Sequence, residues 1–358
     1  MNSPEQKLAA KGITTETLKP QAPPTSANPI YSSVSLRTAR FAMLKHIAGD
    51  IIVEGLTLLA ARPKIGKTWL ALDIAVAVAR GGYCLGDIQC EQGAVLFLAL
   101  EDNRRRMQRR LTKLLGATTD WPAFSIAHEW PRANAGGLDL IRDWIRTTAA
   151  TSETAAGMPR LIVVDVLARF RKLTANGKQQ TYEADYEAIA DLQKIAGEAG
   201  IAIIVIHHTR KGEADDPIDA VSGTLGLAGA ADAVLVIGRQ NDGSVQLYGR
   251  SRDVDEIDKA LRFDREACRW TILGATTEVQ RSNARKRIFA ALEEQEGPMT
   301  PKAISAQTGQ PVGTVQVLLG KMLKLGEVAK LDYGSYVLPA YNTPIESVVS
   351  VKSRGMNS

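Results

Sequence analysis

The chain has 358 residues, 45% hydrophobic and 23% charged, with a formal net charge of +5 and a pI of about 9.0. That length allows two to three domains around real cores; no run of 18 apolar residues exists to span a membrane, and the N-terminus, MNSPEQKLAAKG, lacks an apolar signal core. Cys84, Cys90 and Cys268 have no metal-type spacing, so a reducing, cytoplasmic setting is expected.

Residues 1–35 contain KPQAPPTSANPIYSS and no apolar periodicity, which predicts a flexible arm. From 36 to 278 strand-like and helix-like segments alternate. Leu56 to Ala60 is a short apolar strand, and Trp69 to Ala79 a helix stopped by Gly81-Gly82. GAVLFLALEDN is a buried strand ending in acids, followed by the basic helix NRRRMQRRLTKLL. PRLIVVDV, the helix YEADYEAIADLQKIAGEAG and the strand IAIIVIHH come next. Uncharged strands alternating with helices predict a mostly parallel α/β sheet covered on both faces. DAVLVIG, SVQLYGRSRD, KALRFD and CRWTIL lie closer together, as antiparallel strands do. Residues 279–340 read as helices RSNARKRIFAALEEQ, TPKAISAQTG and PVGTVQVLLGKMLKLG with a hairpin turning near Tyr333-Gly334, the pattern of a winged helix. The tail 341–358 is expected to be disordered.

The segment AARPKIGKT carries the chemistry of a phosphate-binding loop, G-x-x-x-x-G-K-[ST], with Ala61 in place of the first glycine. Lys64, Gly66, Lys67, Thr68 and Trp69 form the expected nucleotide-binding set. Gly66 allows close backbone approach, the helix N-terminus adds a favourable dipole, Lys67 reaches the phosphates, and the Thr68 hydroxyl suits Mg²⁺. Asp165, at the tip of LIVVD, is the second acid for the metal; its plainer role is to cap a loop. Glu101 is the candidate for orienting water, and its neighbour Asp102 could cap the following helix. His207 and His208 end another strand and point to opposite faces, so one of them faces the site as a γ-phosphate sensor.

Together the loop at 61–68, Glu101, Asp165 and HHTRKG resemble the RecA-type ATPases. RPKIGKTWLALDIA, HHTRKG and SGT…AGAADAVLVI are most similar to the RepA-type hexameric replicative helicases of plasmids and mobile elements, distant relatives of DnaB-type helicases. The resemblance covers about 45–275. It implies ATP and Mg²⁺ as cofactors, Glu101 as the catalytic carboxylate, Asp165 as the second acid and His208 as the sensor. It also implies that Arg250 and Arg252, two apart and so on one strand face, reach a neighbouring subunit's site as fingers. Implied partners are further copies in a homo-oligomer, expected to be a hexamer, single-stranded DNA, and a replication initiator or primase.

In such rings the loops after Asp165 and His208 line the channel. Arg169, Arg171, Lys172, Lys178, Arg210 and Lys211 would then track phosphates. Glu213, Asp215 and Asp216 argue against the whole second loop doing so, and only Phe170 and Tyr182 are nearby as stacking platforms. Bases outnumber acids from 279 to 330, and Thr314, Gln316 and Lys321 on the third helix are positioned to grip DNA. The expected activity is an ATP-driven, ring-forming helicase acting on single-stranded DNA. Two rivals are an ATP-switched DNA-binding regulator and a filament-forming recombination or repair ATPase.

Overall fold

The computed structural model describes residues 31–116, 118–173, 178–209, 216–219, 221, 225–240, 243–295, 297–331 and 334–339. Most of the expected arm, the tail 341–358, and Arg210, Lys211, Glu213 and Asp215 lie outside them. Residues 31–35 run into a helix, α1 (Ser33–Thr38), capped by the Ser32 side chain and with no buried residue.

After α1 the hairpin β1 (His46–Asp50) and β2 (Ile52–Val53) leads into β3 (Gly55–Ala61), which is buried along its whole length. The helix α2 (Lys67–Arg80) starts at Gly66 and stops where Gly81, in the left-handed region, turns its N–H back on the carbonyls of Ala77 and Val78. A second small hairpin, β4 (Tyr83–Cys84) and β5 (Ile88–Gln89), precedes β6 (Ala94–Ala99) and α3 (Arg104–Leu115). Then follow β7 (Ser125–Ala127), α4 (Gly137–Thr151), β8 (Pro159–Asp165), α5 (Leu167–Phe170), α6 (Lys178–Ala199), β9 (Ala202–His208) and α7 (Leu225–Ala230). Four longer strands close the sheet: β10 (Ala233–Arg239), β11 (Val245–Ser251), β12 (Ile257–Asp264) and β13 (Arg269–Ala275). The C-terminal unit is α8 (Thr276–Gln295), α9 (Pro301–Thr308), α10 (Val312–Lys324), β14 (Ala329–Lys330) and β15 (Tyr336–Val337).

Nine strands form one sheet in the order β13-β12-β11-β10-β3-β9-β8-β6-β7. From β10 to β7 every neighbour pair is parallel; β10 to β13 are antiparallel. This is the mostly parallel α/β core expected from the uncharged strands. Its two faces carry separate apolar clusters. One, around Leu59, Phe97, Val163 and Trp270, packs under α2 and α3; the other, around Leu58, Ile162, Ile203 and Leu192, packs under α4 and α6. Alternate residues of the same strand serve the two faces, as a period of two requires.

The boundary expected at 278/279 falls inside α8. No Gly or Pro interrupts the chain from Ala275 to Gln295, so one helix runs from the end of β13 into the C-terminal unit. There Ile288, Leu292, Ile304, Leu319 and Met322 build a third, small core. Thr300 caps α9 by accepting from the Ala303 N–H, with Pro301 in the first turn. Tyr333, in the expected hairpin turn, lies outside the described residues.

Candidate nucleotide-hydrolysis site

The strand register brings the site residues together. Ala61 on β3 pairs with His208 on β9, and Ala99 on β6 pairs with Asp165 on β8. The ends of these parallel strands therefore share one edge of the sheet, and the loop 62–66 and the start of α2 sit over it.

Ala61 is fully buried, is the last residue of β3 and is not among the residues with left-handed backbone. Its carbonyl accepts from the Lys67 ammonium at 2.8 Å and from the Thr209 N–H at 3.1 Å. A glycine is not needed there. The left-handed positions of the loop are Lys64, at φ 65°, and Gly66, at φ 117°. A β-carbon on Gly66 would lie 3.1 Å from the Trp270 indole. The same indole donates to the Gly66 carbonyl at 3.2 Å. Gly66 is thus required by both conformation and space.

Lys67 is buried, and its ammonium also donates to the Arg62 carbonyl at 3.2 Å and lies 3.1 Å from His208 Nδ1. Burial lowers its pKa to about 8, against the attraction of Asp165 and Glu101. Burial and the nearby Lys67 charge hold the His208 imidazole below its ordinary value, with Glu101 acting the other way. At neutral pH His208 is therefore uncharged, and its Nδ1 accepts from Lys67. On its other side, Nε2 is 4.0 Å from Glu101 Oε2. Glu101 itself is exposed. The Thr68 hydroxyl donates to Asp165 at 2.8 Å. Burial raises the Asp165 carboxyl to about 6, although the Thr68 hydrogen bond and Arg110 both favour its charged form.

Asp102 does not cap α3. Asn103 does, accepting from the Arg106 N–H at 2.9 Å. The Asp102 carboxylate is instead held by Arg106 at 2.8 Å and Arg110 at 3.3 Å. Arg110 in turn lies 5.3 Å over the Trp69 ring. Trp69, expected beside the nucleotide, is packed on the core and on Arg110. Arg106, Arg110 and Trp270 are site-supporting residues that the sequence reading missed. Arg106 and Arg110 follow Asp102 by one and two helical turns, a spacing that could have flagged them; nothing local marks Trp270.

Arg250 and Arg252 lie elsewhere. Arg250 on β11 pairs with Val234, which pairs with Leu58, the middle residue of β3, and Arg252 follows at the level of Leu56, two strands across the sheet from the strand that leads into the loop. Arg250 bonds Asp216 at 2.7 Å, and Arg252 donates to the Gly229 carbonyl at 2.6 Å and lies 3.6 Å from Asp232. Neither arginine reaches the site of its own chain.

The expected DNA loop is also corrected in part. Phe170 is fully buried and offers no stacking face. Arg171 is paired with Asp185 at 2.7 Å and Lys172 with Glu187, both acids being on α6. Arg169 and Lys321 are exposed. The Lys178 side chain lies outside the described residues.

The residues present fit a magnesium nucleotide. A buried lysine, a hydroxyl and a carboxylate converge at a helix N-terminus whose glycine lets backbone approach. Mg²⁺ keeps several waters and takes only one or two protein ligands besides phosphate, and Thr68 and Asp165 would be those ligands here. When bound, the ion would add positive charge beside the β- and γ-phosphates. Glu101 is exposed, and His208 lies between that carboxylate and Lys67.

Residues 22–214, more than half of the chain, match the family model described as "AAA domain". The chain belongs to the AAA domain family. None of the curated proteins is significantly similar to it. A solved structure titled "The Structure Of A DnaB-Like Replicative Helicase And Its Interactions With Primase" aligns at 17% identity and a TM-score of 0.46, over 61% of this chain and 57% of that one. The AAA domain chain thus spans less than two thirds of that helicase's length. Among its described residues no helix is long and apolar enough to cross a membrane.

Proposed function

We propose that this AAA domain protein is an ATP-hydrolysing motor that assembles into a ring, expected to be a hexamer, and translocates on single-stranded DNA to unwind duplex during replication of a plasmid or mobile element. The observation that carries the ATPase reading is the convergence on one sheet edge of Lys67, Thr68, Asp165, His208 and Glu101, linked by contacts of 2.8–4.0 Å. Lys67 holds phosphate, Thr68 and Asp165 hold Mg²⁺, Glu101 orients the attacking water, and His208 senses the γ-phosphate through Lys67 and Glu101. The finger reading of Arg250 and Arg252 is supported by their contacts, which are with Asp216, Gly229 and Asp232 rather than with Lys67 or Thr68, and it requires a neighbouring subunit's site. Single-stranded DNA, with an initiator or primase as loading partner, follows from the resemblance of the 61–68, HHTRKG and SGT…AGAADAVLVI segments.

The test is ATP turnover with and without single-stranded DNA, together with strand displacement on a forked duplex. Lys67→Ala is expected to lose both, at least a hundred-fold, with the fold intact by circular dichroism. Glu101→Gln is expected to bind nucleotide as wild type and lose turnover by about 10²–10⁴-fold. Wild-type turnover by Lys67→Ala would refute the site. Turnover without strand displacement would favour the ATP-switched regulator.

A further inference from the structure

We propose that the groove between α8 and the first turns of α10 binds the sugar–phosphate backbone of DNA. It has a volume of about 650 Å³. One wall is the face of α8 from Thr277 to Arg287, the other the face of α10 from Gly313 to Lys321, and Gln240 at the end of β10 closes one side. Both walls recur at helical spacing, so two whole helix faces look into the same space.

Three observations point to a polyanion. Arg281, Arg287 and Lys321 line the groove with no acid among its lining residues, and none of the three has an ion-pair partner among the described residues. Arg281 and Arg287, six residues apart, are spaced about 9 Å along the helix axis, so they meet successive stretches of an extended chain. Second, α10 begins at Pro311 with no side-chain cap, leaving its first N–H groups open. Gly313 stands in that turn, and a β-carbon there would meet nothing within 4 Å. A phosphate can approach the backbone directly. Third, Gln310 is 7% exposed and lines the groove. Its Nε2 donates to the Ala284 carbonyl at 3.1 Å, but its buried Oε1 has no partner. That acceptor suits a sugar hydroxyl, a base amine or a bridging water at the phosphate. A small-molecule pocket carries few charges; this groove carries three cations beside its apolar floor of Ala284, Val317 and Leu318.

The proposal rests on the reading of the protein as a DNA-directed ATPase and adds a site to it. Because the groove includes Gln240 and Thr277, it touches the end of the ATPase sheet as well as the C-terminal unit.

The test is fluorescence anisotropy of the full chain with a labelled oligothymidylate, and with a labelled duplex, over a salt series. Removing three phosphate contacts, in Arg281→Ala/Arg287→Ala/Lys321→Ala, should weaken binding ten-fold or more and flatten the salt slope by about 2 for the single strand. The charge-matched control Lys286→Ala/Lys302→Ala/Lys330→Ala, whose residues do not line the groove, should change affinity less than two-fold. Gly313→Glu is the second variant. An acid in the first turn favours the helix, so melting temperature should hold or rise while DNA affinity falls. Basal ATP turnover, without DNA, should be unchanged in Gly313→Glu and in the control triple variant. Equal loss in both triple variants, or wild-type affinity in the groove variants, would overturn the site. So would intact DNA binding with lost self-association, which would make the groove a protein interface. Absence of ATP turnover in the wild type would sink the motor and leave the groove result standing by itself.

Discussion

At the scale of single residues, the site is a set of proton positions. Lys67 near 8 and Asp165 near 6 frame the pH range in which the free protein is ready for magnesium nucleotide. Below about 6 Asp165 gains a proton and would lose its proposed hold on Mg²⁺; above about 8 Lys67 loses the charge proposed to meet phosphate. A bell-shaped profile of kcat/KM, with limbs near those two values, is the expected outcome, because kcat/KM reports the free enzyme. Asp165→Asn should lose the acid limb along with most of the activity; a flat profile from pH 5 to 9 would refute the assignment. Asp165 was legible because it ends an uncharged strand, and Lys67 because it stands in Gly66-Lys67-Thr68 at the start of a helix. Ala61 was legible as an oddity only. Its harmlessness appears once it is seen to be the last extended residue of a strand, with the left-handed turns falling at Lys64 and Gly66. Asp102 was misread because a residue before a helix looks like a cap, and the competing arginines sit one and two turns further on.

Elements were read better than their edges. The parallel strands announced themselves through apolar runs without charge, whereas β1, β2, β4, β5 and β7, of two to five residues each, are too short to show a period. The loop after β8 misled for an electrostatic reason. Its cations counted as free until α6 supplied Asp185 and Glu187, and no local pattern announces a partner on another element. The helix α2 holds a further buried acid, Asp73. Burial raises it to about 6 despite Arg269 at 3.5 Å. A carboxyl whose folded pKa lies above its unfolded value binds more protons when folded, so stability falls as pH rises from about 4 to about 6. Asp73→Asn removes that dependence. It should stabilise the fold at pH 7.5 by on the order of 1–3 kcal/mol and leave it nearly unchanged at pH 4, as read by urea unfolding. Arg269 is partly exposed and can turn to water. Destabilisation at pH 7.5 would mean that the pair with Arg269 outweighs burial.

For the whole molecule, the proposed finger role of Arg250 and Arg252, neither of which contacts its own phosphate loop, would make hydrolysis a property of the assembly. Arg252→Ala should bind ATP and fail to hydrolyse it, as Lys67→Ala fails for a different reason. In mixed rings some interfaces combine an intact loop with an intact neighbouring arginine. Those should recover turnover to a substantial fraction of wild type once subunit exchange has been shown by fluorescence transfer between labelled subunits. No recovery at any ratio, with exchange shown, would refute the trans assignment and turn the reading towards the switch.

The unbroken run of α8 has a mechanical meaning. Twenty residues of helix make a rod about 30 Å long, rooted at its start in the strand β13 whose Trp270 supports the phosphate loop. A tilt of about 10° at the root displaces the far end by about 5 Å over that length. No Gly or Pro hinge lies along it to absorb such a tilt. In the proposed motor, leverage along this helix would turn small shifts beneath Gly66 into a swing on the order of one helical turn at the outer unit.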